Sequence, residues 1–148
     1  MTKNLEKNKI EIGDNCEINN NAVFFNHVKI GNNCKIGNNV VLRNCSIDDD
    51  TIIEDNVIIG YGTMTGHYSE KNQIQKNFSD SNNDNFRIII GKNVLVRSGA
   101  TIYLDSIIDD NCWINHNALI RENVTISKDS SIGSNTICEN NVSIGKCC

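Results

Sequence analysis

Hydrophobic side chains recur along this chain every six residues. In the second half the series is Ile90, Val96, Ile102, Ile108, Ile114, Ile120, Ile126, Ile132, Cys138 and Ile144, with no polar member. A second series stands two residues before each aliphatic: Val94, Ala100, Ser106, Cys112, Ala118, Val124, Ser130, Thr136 and Val142. A step of six fits neither the helical period near 3.6 nor the strand period of 2. It is the mark of a β-helix whose sides are six-residue units. One bulky and one small inward register suit a narrow shaft that two bulky registers would overpack. Gly91, Gly133 and Gly145 follow the bulky register and read as corner residues.

The same step runs through Ile12, Ile18, Phe24, Ile30, Ile36 and Leu42, with Cys16, Ala22, Val28, Cys34 and Val40 as companions. Phe24 is large for its place and is expected to fill the open end of the shaft. Between Leu42 and Ile47 the step is five, so one corner is a residue tighter. The phase resumes through Ile53 and Ile59, with Thr51 and Val57 as companions. After Gly60 the pattern stops. Residues 61–87 make a long connection, of a length that is usually functional or disordered. If three hexads make a coil, Ile47 and Ile90 both open one. The connection then leaves from a corner as a loop with an anchored base and a soft tip. Residues 1–9 read as a polar leader, and residues 1–148 as a single all-β, β-helical domain.

Composition sharpens this picture. Proline is absent, as suits backbone N–H groups that feed continuous ladders. Asparagine is abundant, and it tolerates the left-handed conformation that sharp corners require. Asn15, Asn33, Asn56, Asn93, Asn111 and Asn141 fall where the repeat puts corners. A net charge of −4 leaves no electrostatic footprint for nucleic acid. No run is apolar enough to span a membrane and the leader has no secretory apolar segment, so a cytoplasmic protein is expected. The seven cysteines include no CxxC pair. Cys16, Cys34, Cys112 and Cys138 are expected as reduced core residues, and Cys147 and Cys148 as exposed ones.

A regular shaft leaves chemistry to the outward side chains. The segment CWINHNALIRE (residues 112–122) holds the only tryptophan, and a histidine two residues after the inward Ile114. His116 should therefore point outward. Its intrinsic pKa near neutrality suits a general base. A three-histidine zinc site would need His27, His67 and His116 together, yet the first and last are on the order of 20 Å apart along the axis at strand spacing.

The segments GKNVLVRSGATIY (residues 91–103) and DDNCWINHNALIREN (residues 109–123) resemble a subgroup of small sugar-modifying N-acetyltransferases. These belong to the hexapeptide-repeat acyltransferases, whose fold is a left-handed parallel β-helix. The chain departs from the subgroup at Asn115, where glycine is expected. The resemblance implies a homotrimer with active sites between subunits, acetyl-CoA as co-substrate with no metal, and a loop extruded from one coil. It implies that His116 is the catalytic base or orients the acceptor. A backbone N–H near Asn117 or Ala118 would hold the oxyanion beside the cofactor. Arg121 and Lys146 would meet the CoA phosphates, while His67, Tyr68, Arg97 and Asn115 would face the acceptor. That acceptor would be an amino sugar, nucleotide-linked, on a route to cell-surface glycan. The alternatives are transfer to a hydroxyl, or a non-enzymatic trimeric scaffold.

Overall fold

The computed structural model describes residues 8–62 and 86–148. Short parallel strands wind into a left-handed β-helix of about six turns, three sides to a turn. The first side stacks β1 (Lys9–Ile12), the ends of β3 (Val23–Ile30) and β5 (Val41–Ile47), then β8 (Ile88–Ile90), β11 (Ile107–Ile108), β14 (Thr125–Ile126) and β17 (Ser143–Ile144). The second stacks β2 (Glu17–Ile18), β4 (Lys35–Ile36), β6 (Ile52–Ile53), β9 (Leu95–Val96), β12 (Trp113–Ile114) and β15 (Ser131–Ile132). The third stacks the starts of β3 and β5, then β7 (Ile58–Tyr61), β10 (Thr101–Tyr103), β13 (Leu119–Ile120) and β16 (Ile137–Cys138). β3 and β5 run on through the corner between the third and first sides, and so join those sides into one hydrogen-bonded sheet. No helix among the described residues is long and apolar enough to cross a membrane.

The register follows the sequence pattern. Stacked residues are 18 apart in most coils and 17 apart across the tightened corner, where Asn44 alone makes the turn. Across the long connection the spacing becomes 43, yet Ile47 still pairs with Ile90. The connection therefore leaves the corner between the third and first sides without disturbing the stack. Its base is tied: the Arg87 N–H donates to the Asn44 carbonyl at 2.9 Å, and the Arg87 guanidinium is bidentate on Asp105. Residues 63–85, with the expected soft tip, lie outside the described residues.

The inward series is the core. Ile90, Val96, Ile102, Ile108, Ile114, Ile120, Ile126, Ile132 and Cys138 are buried, and Ile144 is half-buried. Each fully buried isoleucine contributes roughly 1.5–3 kcal/mol relative to exposure. The ends depart from the pattern: Ile12 is 45% exposed, Ile18 is exposed, and Thr136 is exposed despite its inward register. Phe24 packs half-buried against the core near the open end, as expected. The small register does more than avoid overpacking. The Thr51, Ser106 and Ser130 hydroxyls donate to corner carbonyls one coil on, at 2.9, 2.9 and 2.7 Å. The Cys16, Cys34 and Cys112 thiols point at corresponding carbonyls at 3.0, 3.2 and 3.2 Å. Such bonds satisfy carbonyls that the corner would leave unpaired. All seven cysteines are free, with Cys147 and Cys148 exposed.

Asparagine, not glycine, turns the corners. Among the described residues, seventeen other than glycine have positive φ, and all but Cys147 are Asn or Asp. The six asparagines singled out from the sequence are among them. Gly91, Gly133 and Gly145 stand at corners as read, but outside the left-handed region, which the residue two places on adopts. Gly91 is required by proximity instead, since a Cβ there would sit 2.7 Å from the Asp110 amide nitrogen of the next coil. Side chains of successive corners also bond along the axis, as in Asn93 to Asn111 to Asp129 at 3.0 and 2.9 Å.

Candidate active site

His116 sits on the corner between the second and third sides, after the inward Ile114 of β12 and before β13. It is half-buried, and its ring has no hydrogen-bond partner among the described residues. The turn is held by three backbone bonds: Asn117 N–H to Ser98 carbonyl at 3.1 Å, Ala118 N–H to Asn115 carbonyl at 3.2 Å, and Asn135 N–H to His116 carbonyl at 2.9 Å. Ser98 thus lies one coil below the histidine.

This corner differs chemically from its own lower coils. There, asparagines form a ladder from Asn21 to Asn39 to Asn56, both steps at 3.3 Å. Backbone amides are capped from the coil above: Asn20 N–H by the Asn38 carboxamide at 3.2 Å, and Asn38 N–H by Asp55 at 2.6 Å. The ladder ends at Asn56. The next left-handed residue of the column is Gly99, with φ +78. A Cβ at Gly99 would occupy the space taken by the Asn117 carboxamide. Glycine at 99 is what lets the His116 turn settle on the coil below it.

Glu54 supports the same corner from beneath. Its carboxylate accepts the Ser98 N–H at 3.0 Å and the Ser98 hydroxyl at 3.2 Å, and pairs with Arg97 Nε at 3.4 Å. Burial would raise the Glu54 pKa, but these bonds and the Arg97 charge outweigh it and hold the carboxyl below its usual range. The Arg97 Nε is itself buried with no hydrogen-bond partner. On the adjoining second side, Ile52, Leu95 and Trp113 stack outward in successive coils, and Trp113 is 54% exposed.

With this geometry in hand, comparison places the repeat. The family described as bacterial transferase hexapeptide (six repeats) matches residues 9–44. That match covers the first coils of the helix, and the coils after it continue the same six-residue step. No curated protein matches the chain. Among solved structures it is similar to the UDP-N-acetylglucosamine acyltransferase of Francisella novicida. That match has 21% identity and a TM-score of 0.28, and covers 90% of this chain. The chain spans 55% of the length of that protein.

One chain of this hexapeptide-repeat protein does not gather all the residues expected at its site. His116, Asn115, Asn117, Ala118 and Arg97 share the corner between the second and third sides. Arg121 is on the corner between the third and first sides, and Lys146 is exposed on the corner between the first and second. Arg121 is already neutralised by Glu122, at 3.0 and 3.1 Å, and by Glu139 at 3.2 Å, with its guanidinium over the Tyr103 ring. The side-chain bonds and charge of Glu122 raise its pKa further. His67 and Tyr68 lie outside the described residues.

One expectation at the histidine itself is corrected. The N–H groups of Asn117 and Ala118 donate within the chain, so neither is free to hold an oxyanion. The His116 N–H has no acceptor among the described residues and is the better-placed donor at this turn. Asn115 does not adopt the left-handed conformation; Asn117 does, with φ 56. The Asn115 amide is turned inward along the stack, donating to Ser131 Oγ at 3.1 Å and the Ile132 carbonyl at 2.8 Å. Glu54, Ser98 and Gly99 did not emerge from the sequence as site residues. The available signal was a glycine at 99, where the column otherwise carries asparagine.

Proposed function

We propose that the protein is an acyltransferase that moves an acetyl group from acetyl-CoA to the amine of an amino sugar, in a homotrimer whose sites lie between subunits. The observation that carries this reading is His116: a half-buried imidazole without a partner among the described residues, on the corner where the capping ladder gives way to glycine. The transferase hexapeptide match over residues 9–44 supports the coarser reading as a transferase. The finer reading, to a nucleotide-linked amino sugar in the cytoplasm, follows from the resemblance of residues 91–103 and 109–123.

The amine nitrogen attacks the thioester carbonyl carbon and a C–N bond forms. His116 accepts the amine proton, the carbonyl oxygen gains charge, and an N–H at the turn stabilises it. Collapse breaks the C–S bond. CoA leaves as the thiolate and takes the proton from His116. No metal enters this scheme. Glu54 and Ser98 hold the corner on which the histidine stands.

The test is mass-spectrometric detection of product from acetyl-CoA and a panel of nucleotide-linked and free sugars bearing amines or hydroxyls, for wild type and His116→Ala. A general base contributes about 10²–10⁴-fold, so acetylated amine should fall at least a hundredfold in the variant. Product unaffected by the substitution removes His116 from the mechanism. An O-acetylated product alone would overturn the choice of an amine. No product with any acceptor, and no thermal shift with CoA, would leave a scaffold.

A further inference from the structure

The corner between the third and first sides carries a column of aromatic and cationic side chains that the proposed transfer step does not use. Coil by coil it reads Phe25, Arg43, then Tyr61 one place past the Gly60 that stacks on Arg43, then Tyr103 and Arg121. Arg43 lies over the Phe25 ring, with its guanidinium carbon 4.7 Å from the ring centre. Tyr61 and Tyr103 pack with ring centres 4.9 Å apart at 49°, and Arg121 covers Tyr103 at 5.7 Å. The Phe25 and Tyr61 rings remain 39% and 44% exposed.

The two arginines of this column are in different electrostatic states. Arg121 is neutralised by Glu122 and Glu139. Elsewhere Arg87 is paired with Asp105, and Arg97 with Glu54. Of the four arginines, Arg43 alone has no carboxylate partner among the described residues. It is half-buried, so it has given up part of its hydration without gaining a counter-ion among the described residues. Gly60 brings the next coil against it: a Cβ at Gly60 would stand 2.7 Å from the Arg43 Cβ. The backbone of that coil therefore passes close over Arg43, and Tyr61 follows Gly60 in the same strand.

A guanidinium fork beside exposed ring faces recognises an anion joined to a planar ring. The fork is complementary to a phosphate, and the rings stack a base with little regard to which base it is. We propose that Phe25, Arg43 and Tyr61 form a binding site for a nucleoside diphosphate, with the diphosphate on Arg43 and the base on Tyr61. Two molecules of the proposed reaction carry that chemistry: a nucleotide-linked acceptor, and the adenosine end of CoA. The assignment rests on that reading for its natural occupant, but nucleotide binding is measurable without any transfer.

The experiment is calorimetric titration of the intact protein with UDP, ADP, uridine and inorganic phosphate. UDP and ADP should bind, and each should bind more tightly than uridine or phosphate alone. Arg43→Ala should weaken UDP at least about tenfold, and Arg43→Lys should restore only part, since lysine lacks the fork. Tyr61→Leu should weaken UDP and uridine but leave phosphate unchanged. If Arg43→Ala does not fold, the exposed Tyr61 ring still supplies the test. UDP affinity unchanged in both variants, or no UDP binding to wild type, overturns the proposal. Competition between UDP and CoA assigns the site to the donor, and simultaneous binding assigns it to the acceptor; either result upholds the site. Nucleotide binding that depends on Arg43, in a protein that acetylates nothing, would keep this inference and sink the proposed reaction.

Discussion

Gly60 lies in β7, the last strand before the long connection, and its replacement by alanine should be costly for two separable reasons. Its φ of +97 lies where an L side chain is strained, at roughly 1–2 kcal/mol. An added Cβ would also stand 2.7 Å from the Arg43 Cβ, and closer still to the Arg43 carbonyl oxygen, so backbone must move. Overpacking of this kind costs about 1–3 kcal/mol. Together these predict a loss on the order of 2–5 kcal/mol for Gly60→Ala. In a chain of this size 1 kcal/mol shifts Tm by about 2–4 °C, so the melting point should fall by about 4–20 °C. Gly62→Ala is the internal control. Gly62 has no positive φ, and the nearest atom to its added Cβ is Leu104 Cδ1 at 3.9 Å. That substitution should stay within about 0.5 kcal/mol of wild type. Thermal unfolding followed by circular dichroism decides the matter. Two variants melting within 2 °C of each other (roughly the 1 kcal/mol resolution of the argument) would refute the close passage of this coil over Arg43.

Further outcomes follow from the same packing and electrostatics. Ile114→Ala should cost about 2–5 kcal/mol in urea denaturation, whereas Ile12→Ala, at a side chain 45% exposed, should cost less than half as much. Glu54 has a lowered pKa in the folded state, so its contribution is fully present above the ordinary carboxylate range and is lost as pH falls through the folded value. The Tm difference between wild type and Glu54→Gln should therefore shrink on acidification from neutrality to below pH ~4, and a constant difference would contradict the assignment. Burial pushes the Cys34 thiol up to about 11 and Cys45 up to about 12, and also raises Cys112 and Cys138. Iodoacetamide at pH ~8 should accordingly modify Cys147 and Cys148 first, with the full set reacting only in denaturant. Seven rapid adducts on the native protein, read by intact mass, would show that the cysteine columns are not core.

The shaft was legible because its physics is one-dimensional. A residue six positions on meets the same environment, so burial is written as a period, and Ile102 or Ile120 could be placed inside with no knowledge of their neighbours. The tightened corner was legible for the same reason: removing one residue shifts the phase from Leu42 to Ile47, and the structure shows the matching change from 18 to 17 between stacked residues. Corners were harder. The pattern marks both glycine and asparagine at corners, and the structure gives the left-handed conformation to the asparagine two places after the glycine, where it bonds to its counterpart in the next coil. The hydroxyls of Thr51, Ser106 and Ser130 looked like space-fillers, because sequence gives side-chain size but not the direction of the carbonyl one coil away. At the site, His116 was found by its outward register. Glu54 was not, because it stands 44 residues before its partner Ser98 and only the closed stack brings them together.

A solenoid separates what specifies the fold from what is free to carry chemistry, and the corner of His116 shows where the division falls. Every inward position near it obeys the repeat: Val96, Ala100, Ile114 and Ala118 are all buried. The departures are outward and concern how polar groups are satisfied. Through Asn56 this corner closes itself, each carboxamide bonded to the next and each turn amide capped from above. Continuing that ladder through residues 99 and 117 would cost nothing in the core and would leave no polar group free. Instead glycine replaces asparagine at 99, Ser98 takes its cap from Glu54 below, and the His116 ring and N–H are left without partners among the described residues. The corners carrying Asn93–Asn111–Asp129 and Asn123–Asn141 keep their ladders through the same part of the stack. Stability alone favours the closed form, since a capped amide stabilises its turn and an uncapped half-buried one does not. The open form at this corner is what a site needs: donors and a titratable ring held on a rigid frame with their hydrogen bonds reserved for a ligand.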